Sequence, residues 1–242
     1  MINKLFSKLQ LLFSYNSSRF HLNNFLIQAV QTLGPEDIVL DAGSGEGFYK
    51  SLFKNTRYES TDICLVAKTY GAVTFVSSLE HIPVRSGRYN AVILTQVIEH
   101  LPYPSLVLEE IYRVLKPGGY LWLSAPLFYP EHETPYDFYR YTQYGLRHLV
   151  EHAGYEIIDL QPLEGYGATF SFQLRIAIRN LPINPKRYGG GIIGFVIVGL
   201  KIISTPLFII MSKLLDHADR KQIINEGGMC KNYRLIAKKP QC

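Results

Sequence analysis

The sequence is poor in cysteine, nearly balanced in charge and without a concentrated basic run. Its three cysteines form no C-x-x-C pair, so they predict neither a disulfide framework nor a zinc site and fit a reducing compartment. The formal charge of +5 is spread along the chain, so no nucleic-acid partner is expected. The N-terminal apolar run at 11–13 is too short for a signal peptide. We therefore expect a cytoplasmic protein.

What the chain does contain is an apolar run followed by alternating glycines, IVLDAGSGEG at residues 38–47. A continuous apolar run that ends in such a turn is typical of a strand buried on both faces of a parallel sheet. Glycines at 43, 45 and 47 allow a ligand to approach the backbone, because no Cβ stands in the way. We expect the first turn of a helix to follow, with its free N–H groups at the same place.

Two cofactor classes use this geometry, dinucleotides and S-adenosylmethionine, and the spacing distinguishes them. A dinucleotide fingerprint is G-x-G-x-x-G, whereas here the pattern is G-x-G-x-G with Asp41 two residues before the first glycine. A carboxylate there is poorly placed beside a pyrophosphate and suits a cationic amino group. Asp62 ends the next apparent strand, at a distance where an acid can accept bonds from ribose hydroxyls. The pattern indicates an adenosyl ligand without phosphates.

Residues 39–47 resemble motif I of the class I S-adenosylmethionine-dependent methyltransferases. The likeness continues through 89–101, which resembles the family's fourth strand and following loop, with Asn90 where many relatives have Asp. It also includes 109–121, similar to the segment that leads into the fifth strand. The resemblance covers roughly 36–160. It implies an α/β fold with a Rossmann-like, seven-stranded, doubly wound sheet, helices on both faces, and S-adenosylmethionine as cofactor.

The chain divides into four predicted parts. These are an N-terminal helical segment (1–34), an S-adenosylmethionine-binding α/β core (35–161), an apolar helical insertion (162–230), and the last strand with the C-terminus (231–242). The first part either packs on the sheet or forms a lid over the cofactor. Strands are predicted near 38–42, 57–61, 73–76, 89–95, 119–125 and 155–161, and helices near 104–115 and 142–154. In the resembled fold the seventh strand inserts antiparallel between the fifth and the sixth.

The resemblance also implies which residues bind the cofactor. Asp41 and the loop of Gly43, Ser44, Gly45 and Gly47 would hold its methionine end, although Asp41 could instead cap the turn. Asp62 would hold the ribose. The adenine would lie near Ser78 and Leu79; Ser78 stands where many relatives have an acid, so Glu80 is the alternative contact. Thr95 and Gln96, just past the fourth strand, should face the cofactor and the acceptor.

Methyl transfer needs alignment of the acceptor, and a general base only if the acceptor must lose a proton. The candidate catalytic residues are His100, His132 and Asp137. His100 could equally fix the start of the next loop. The polar and aromatic segment 131–142 follows the fifth strand, where loops can recognise an acceptor, and it resembles a segment of relatives from bacterial surface-polysaccharide gene clusters. Arg140 either pairs with Asp137 or binds an anionic substrate.

A metal site is the sharper alternative for part of this region. Small-RNA 2′-O-methyltransferases are similar in using a Glu-x-x-Glu-His set with a later histidine, which would correspond here to Glu99, His100 and His132. Gln96 replaces the first acid of that set and is a weaker ligand for a hard cation. We therefore expect no metal.

The apolar stretch 191–211 is long enough, at ~1.5 Å per residue, to cross ~30 Å of hydrocarbon. Lys201 near its middle and Pro206 argue against a simple span. A single span would also separate the seventh strand from its sheet. Basic residues flank the stretch, so we expect a hairpin or kinked helix in one leaflet, with the catalytic domain on the cytoplasmic face. The alternatives are a buried dimer face or a cap over the active site.

Together these patterns predict an S-adenosylmethionine-dependent methyltransferase. Its acceptor would be a small molecule, a glycan or a lipid-linked intermediate, with peripheral contact at the inner face of the membrane through 191–211. The alternative is a non-catalytic adenosyl-binding or scaffold protein that keeps the fold. A nicotinamide oxidoreductase is disfavoured by Asp41 and the glycine spacing. The oligomeric state stays open.

Overall fold

The computed structural model describes residues 17–225 and 228–241. These residues form two compact units. The core unit comprises 20–163 and the residues from 231 onward. The insertion unit comprises 164–230, apart from the two residues not described, together with 17–19.

The core unit is built on one seven-stranded sheet with the strand order β3-β2-β1-β4-β5-β7-β6. Strands β1 to β5 pair in parallel, and β7 pairs antiparallel with both β5 and β6. The predicted fold, including the insertion of the last strand between the fifth and the sixth, is confirmed. The strands are β1 (Ile38–Ala42), β2 (Arg57–Asp62), β3 (Phe75–Val76), β4 (Tyr89–Thr95), β5 (Leu115–Pro126), β6 (Glu156–Pro162) and β7 (Asn232–Lys238).

Three long helices accompany this sheet: α1 (Ser17–Gln31), α2 (Pro104–Val114) and α3 (Gln143–His152). Pro104 occupies the first turn of α2, where its missing N–H costs nothing. The Thr142 hydroxyl caps α3 by accepting the Gly145 N–H at 3.1 Å. Both ends of α2 and of α3 lie close to the predicted positions. The part of the predicted N-terminal helix before residue 17 lies outside the described residues.

The prediction of a helix directly after the glycine loop is wrong. Only a single 3₁₀ turn, Lys50–Phe53, forms there. The reason is length, because just nine residues separate Gly47 from the start of β2. A crossover between parallel strands that contains a helix needs about a dozen residues or more. The one between β1 and β2 has 14 (43–56), but the glycine turn takes up the first five of them.

Both faces of the sheet are buried. On one face, Phe25 and Leu26 of α1 pack against Val39, Ile93 and Trp122. Side chains alternate along a strand, so the intervening residues face the other way. Those residues are buried as well: Leu40, Val92, Leu94, Leu121 and Leu123. The described part of α1 is therefore a packed core helix, as one of the two sequence interpretations proposed.

The insertion unit is a pair of helices, α4 (Tyr166–Asn180) and α5 (Gly191–Lys221), joined through a 3₁₀ turn at Pro185–Tyr188. Three polar contacts hold the pair together. Arg175 pairs with Asp216 at 2.5 Å, the Ser171 hydroxyl donates to the Ser212 carbonyl at 2.8 Å, and the Gly165 N–H donates to Asp219.

The apolar stretch 191–211 is part of one continuous helix of 31 residues, about 46 Å long. A hairpin within the stretch, one of the predicted forms, is not what is found; the hairpin is made by α4 with α5. Among the described residues, α5 is the helix that is long and apolar enough to cross a membrane. Its apolar side chains are largely exposed, among them Ile192 (84%), Ile203 (77%) and Phe195 (70%).

Candidate active site

The predicted cofactor residues meet at the carboxyl ends of three adjacent strands. β1 lies between β2 and β4, and Asp41, Asp62 and Thr95 stand at or beside the ends of these strands. Ligands of open α/β sheets bind at this edge. The topology thus brings together residues that lie more than fifty positions apart in the sequence.

The glycine loop has a backbone that other residues would strain. Gly43, Gly45 and Gly47 have φ values of 77°, 51° and 72°. A Cβ on Gly43 would lie 2.6 Å from the Val97 side chain, whereas a Cβ on Gly45 or Gly47 would point into open space. The loop is tied to the neighbouring strand because the N–H groups of Gly43 and Ser44 both donate to the Thr61 carbonyl. It is therefore an open cradle of bare backbone, which fits the expected cofactor.

Asp62 supports this cradle directly. One carboxylate oxygen accepts the Gly45 N–H at 2.9 Å, and the other accepts the Cys64 N–H at 2.9 Å. Each oxygen of an ionised carboxylate has a second lone pair, so both can still accept a ribose hydroxyl. The direct contact with ribose stays a prediction, but the position of Asp62 suits it.

Asp41 is buried, with 3% of its surface exposed, and accepts a hydrogen bond from the Tyr58 hydroxyl at 2.6 Å. Burial raises the pKa of Asp41 to about 6; the Tyr58 bond lowers it in part, and the nearby charge of Asp62 raises it. Sequence reasoning missed Tyr58. The sequence offers little to single out Tyr58, because β2 contains several polar or aromatic residues. Tyr58 lies two positions before Ser60, which pairs with Asp41.

The residues assigned to the adenine show mixed features. Leu79 is 6% exposed and contributes to the core, whereas the Ser78 hydroxyl accepts the Glu80 N–H at 3.2 Å within a turn. Glu80 itself is exposed. The adenine contacts stay a prediction for all three residues.

Gln96 has an unusual backbone for a residue other than glycine, with φ of 56°. Its N–H donates to the Ser124 carbonyl at 3.0 Å, and its side-chain amide lies 3.1 Å from the Ser124 hydroxyl. The side chain of Gln96 is thus directed to the end of β5. Left-handed residues of this kind collect at functional sites.

His100 and His132 come together although 32 residues separate them (132 minus 100). Their ring centroids are 4.7 Å apart, and the Glu99 carboxylate lies 3.9 Å from His100 Nε2. Burial raises the pKa of Glu99 to about 8. Burial also lowers the pKa of His100, and the neighbouring His132 lowers it further. Two of the predicted catalytic residues are therefore neighbours.

Asp137, the third predicted catalytic residue, holds the 131–142 segment together. Its two oxygens accept bidentate bonds from Arg140, both at 2.7 Å, and one also accepts the His132 N–H at 2.8 Å. The Arg140 guanidinium holds the pKa of Asp137 well below its usual range. Arg140 also donates to the Tyr129 and Pro130 carbonyls. Of the two interpretations for Arg140, the structure contains the pair with Asp137, and a catalytic role for Asp137 stays a prediction.

Comparison with known proteins agrees with this geometry. A profile of the methyltransferase domain family matches residues 15–160. The chain is 30% identical over 135 residues to a protein of Mycolicibacterium smegmatis named "probable S-adenosylmethionine-dependent methyltransferase", covering 50% of this chain and 52% of that one. It is 31% identical over 100 residues to a ubiquinone biosynthesis O-methyltransferase of Xanthomonas oryzae pv. oryzae, covering 36% and 42%. The chain thus spans about half the length of the curated relatives it matches.

Solved structures share the fold at low identity. The [4+2]-cyclase SpnF superposes with a TM-score of 0.56 at 16% identity, covering 93% of this chain and 81% of that one. An S-adenosylmethionine-dependent methyltransferase from Archaeoglobus fulgidus gives 0.54 at 16% identity, covering 90% and 93%. With its glycine cradle, its strand order and the family match over more than half its length, the chain belongs to the methyltransferase domain family with the class I fold, and its cofactor is S-adenosylmethionine.

Proposed function

We propose that this protein transfers the methyl group of S-adenosylmethionine to an acceptor bound at the carboxyl edge of its sheet, beside the 131–142 segment. The observation that carries the proposal is the open cradle at Gly45 and Gly47, flanked by the carboxylates of Asp41 and Asp62. This arrangement offers negative charge to the amino end of the cofactor and acceptors to its ribose.

The bound cofactor supplies an activated methyl group on a sulfonium. The chain's own residues then have three tasks: holding the cofactor, aligning the acceptor and keeping water out. The Asp137–Arg140 pair fixes the segment that carries His132, and His100 is fixed by a 2.6 Å bond between its Nδ1 and the Tyr136 carbonyl. Both rings are thus positioned at the acceptor side, where they can promote loss of the proton from a hydroxyl acceptor.

The rival is a protein that binds the cofactor without transferring its methyl group. A [4+2]-cyclase with the same fold illustrates that fold alone does not determine chemistry. Asp41, Asp62 and the glycines support binding and do not distinguish the two. Transfer of a labelled methyl group to any acceptor in a cell extract favours the enzyme, and binding without transfer in every extract favours the rival.

Cofactor binding is tested by calorimetric titration with S-adenosylmethionine and S-adenosylhomocysteine. Asp62→Ala removes two charge-assisted hydrogen bonds that order the cradle, so we expect binding to weaken about 10- to 100-fold. Glu36→Ala is the matched control, because Glu36 is an exposed acid at the amino end of β1, opposite the site. Equal affinity in wild type and Asp62→Ala, or no binding to either ligand, contradicts the proposal.

We further propose that the protein works at a membrane surface, with α5 lying in one leaflet. The helix exposes a long apolar surface that no described residue covers. Exposed basic residues flank it, with Lys186 and Arg187 before it and Lys213 and Lys221 in its last turns. Basic flanks and an apolar face together match an anionic bilayer. The acceptor that suits this location is lipid-linked or quinone-like.

Lys201, which lies within the apolar stretch, is compatible with this location. Its ammonium donates to the Leu181 carbonyl at the C-terminal end of α4. A cation is favourable at a helix C-terminus, and the contact satisfies a carbonyl that the helix leaves unpaired. The charge is therefore compensated inside the insertion unit.

Membrane contact is tested by flotation with vesicles of phosphatidylcholine, alone or mixed with phosphatidylglycerol. We expect wild type to float with the mixed vesicles and the triple variant Ile192→Asp/Phe195→Asp/Ile203→Asp to stay behind. Leu106→Asp is the control, since Leu106 is a half-exposed apolar residue of α2 in the core unit. A wild type that stays behind, or a wild-type dimer that the triple variant converts to a monomer, would assign α5 to a dimer face instead.

A further inference from the structure

Glu99 is a buried carboxylate to which no other described residue donates a hydrogen bond. Its side chain has no exposed surface, and neither of its oxygens is hydrogen-bonded to a described residue. A buried carboxylate in this condition is costly unless it is protonated or paired with a cation. The Arg140 guanidinium is already engaged with Asp137 and with backbone carbonyls. The structure therefore leaves a place for a cation beside Glu99.

Two histidines converge on the same place. Glu99, His100 and His132 each offer one ligand atom, and these atoms lie within 4.8 Å of one another. An ion with bonds of about 2.0–2.1 Å holds its ligands roughly 3.3 Å apart, so binding would draw the three ligand atoms together by at most about 1.5 Å. The cluster is closed on the Glu99 side. It is open on the histidine side, where 15% of His100 and 31% of His132 are exposed.

The far nitrogen of each histidine is held by a partner. Nδ1 of His100 lies 2.6 Å from the Tyr136 carbonyl, and a carbonyl can only accept, so Nδ1 carries the proton and the lone pair is on Nε2. Nδ1 of His132 lies 3.2 Å from the Pro130 carbonyl and 3.3 Å from Asp137. Metal-ligating histidines almost always have an outer partner of this kind, which fixes the tautomer and the ring orientation.

From this geometry we infer that Glu99, His100 and His132 bind a divalent transition-metal ion. Two imidazoles and one carboxylate with an open side are the ligand set of catalytic zinc sites and of facial-triad sites. The sequence argument against a metal rested on Gln96 as the missing acid. In the structure Gln96 is directed to Ser124, and the three remaining residues converge without it.

This inference deepens the proposed function and rests on it in one respect, the nature of the acceptor. The cluster lies in the 3₁₀ turn directly after β4 and in the 131–142 segment, at the same edge of the sheet as the cofactor cradle. A divalent ion at such a position lowers the pKa of a bound hydroxyl. The site therefore selects an acceptor with a hydroxyl group over one with an amine, because an amine bound to a metal loses the lone pair it needs for attack.

The test is metal content of the untagged full-length protein. After chelation, the protein is loaded with Zn²⁺ or Mn²⁺, passed through gel filtration and analysed by mass spectrometry for metals. We expect one ion per chain in wild type. His132→Ala, on a partly exposed loop, should retain less than a tenth of an ion, and Glu99→Gln, an isosteric change in the buried ligand, should weaken calorimetric Zn²⁺ binding at least tenfold.

The chain offers a matched control in a second histidine pair. His148 and His152 lie one turn apart on α3 with stacked rings, and such a surface pair can bind metals without being a site. His148→Ala/His152→Ala should keep its ion. A wild type without a bound ion, or loss of the ion in the His148/His152 variant while His132→Ala keeps it, overturns the inference. Metal content is measured without cofactor or acceptor, so failure here is distinct from failure of cofactor binding.

Discussion

The two units of this protein treat apolar residues in opposite ways. In the core unit, Leu26, Leu40 and Ile111 are completely buried, and the sheet is covered on both faces. In the insertion unit, Ile192 and Ile203 are more than two thirds exposed. The difference teaches that similar apolar composition serves two ends. The core unit uses it for stability, whereas the insertion unit exposes it on α5, where we propose that it contacts a lipid surface.

The two units should differ most in how the loss of an apolar side chain changes the free energy of unfolding. Leu26→Ala leaves a cavity in the packed core and should lower the free energy of unfolding by about 2–5 kcal/mol. Ile203→Ala removes an exposed side chain and should change it by less than about 0.5 kcal/mol. Urea denaturation of both variants checks this. Comparable losses would mean that α5 is packed in solution, against a second chain for example.

A second contrast concerns glycines of the cradle. Gly45→Ala places a methyl group in open space, so it should fold with a strain of about 1 kcal/mol but weaken cofactor binding at least tenfold. Gly43→Ala meets Val97 and should destabilise the fold more. Calorimetry and thermal unfolding separate these effects. If Gly45→Ala binds as wild type does, the open space beside it is not the cofactor cradle.

The raised pKa of Asp41 predicts that cofactor affinity and stability depend on pH in the core unit, with no such dependence predicted for the insertion unit. Binding the amino group of the cofactor needs the ionised carboxylate, so affinity should rise as the pH rises from about 5 to 7, through the pKa near 6.

The free energy of unfolding should change in the opposite sense and fall as the pH rises. The folded state binds more protons than the unfolded state between pH 4 and 6, so the contribution of Asp41 to stability is lost as the pH rises through this window.

The check is calorimetric titration between pH 5 and 8 with Asp41→Asn beside wild type. The variant should bind weakly and show a flatter profile over this range. A wild-type affinity that stays constant between pH 5 and 7 would show that Asp41 does not bind the amino end. Tyr58→Phe adds a second test. It removes the hydrogen bond that lowers the pKa of Asp41, so the affinity of this variant should rise at higher pH than that of wild type.

The last predicted effect is a small gain in stability in the insertion unit. A Cβ on Gly199 meets nothing within 4 Å, and the residue lies inside α5, so Gly199→Ala should stabilise that helix by about 1 kcal/mol. Hydrogen exchange of the α5 amides in the full chain measures this locally. A Gly199 variant with faster exchange would indicate that α5 is interrupted in solution near this residue.

The sequence predicted what depends on local pattern. The turn that contains Gly43, Gly45 and Gly47 could be predicted because its glycines lie within five residues, and β1 and β4 because their apolar runs are continuous. The contacts of these residues with the cofactor stay predictions. The strand order came with the resemblance. The helix predicted after the glycine loop is absent because only nine residues lie between Gly47 and β2.

The rest depends on contacts between distant segments. The Tyr58 bond to Asp41 and the approach of His132 to His100 join residues from different elements, and no local pattern encodes them. Gln96 illustrates the same limit. No local pattern predicts its left-handed backbone or the contact of its amide with the Ser124 hydroxyl, and its contact with the cofactor stays a prediction.

The place of β7 in the sheet has a consequence for the order of assembly. β7 fills the slot between β5 and β6, where Tyr233 pairs with Pro162 and Leu123 with Leu235. During synthesis, β7 is made only after the whole helical insertion. The edges of β5 and β6 that pair with β7 therefore stay unpaired while residues 163–231 are synthesised. Closing a loop of that length costs only slightly more than closing one half as long, since the entropy grows with the logarithm of length. The delay, rather than the free energy of closure, therefore leaves the edges of β5 and β6 exposed during synthesis.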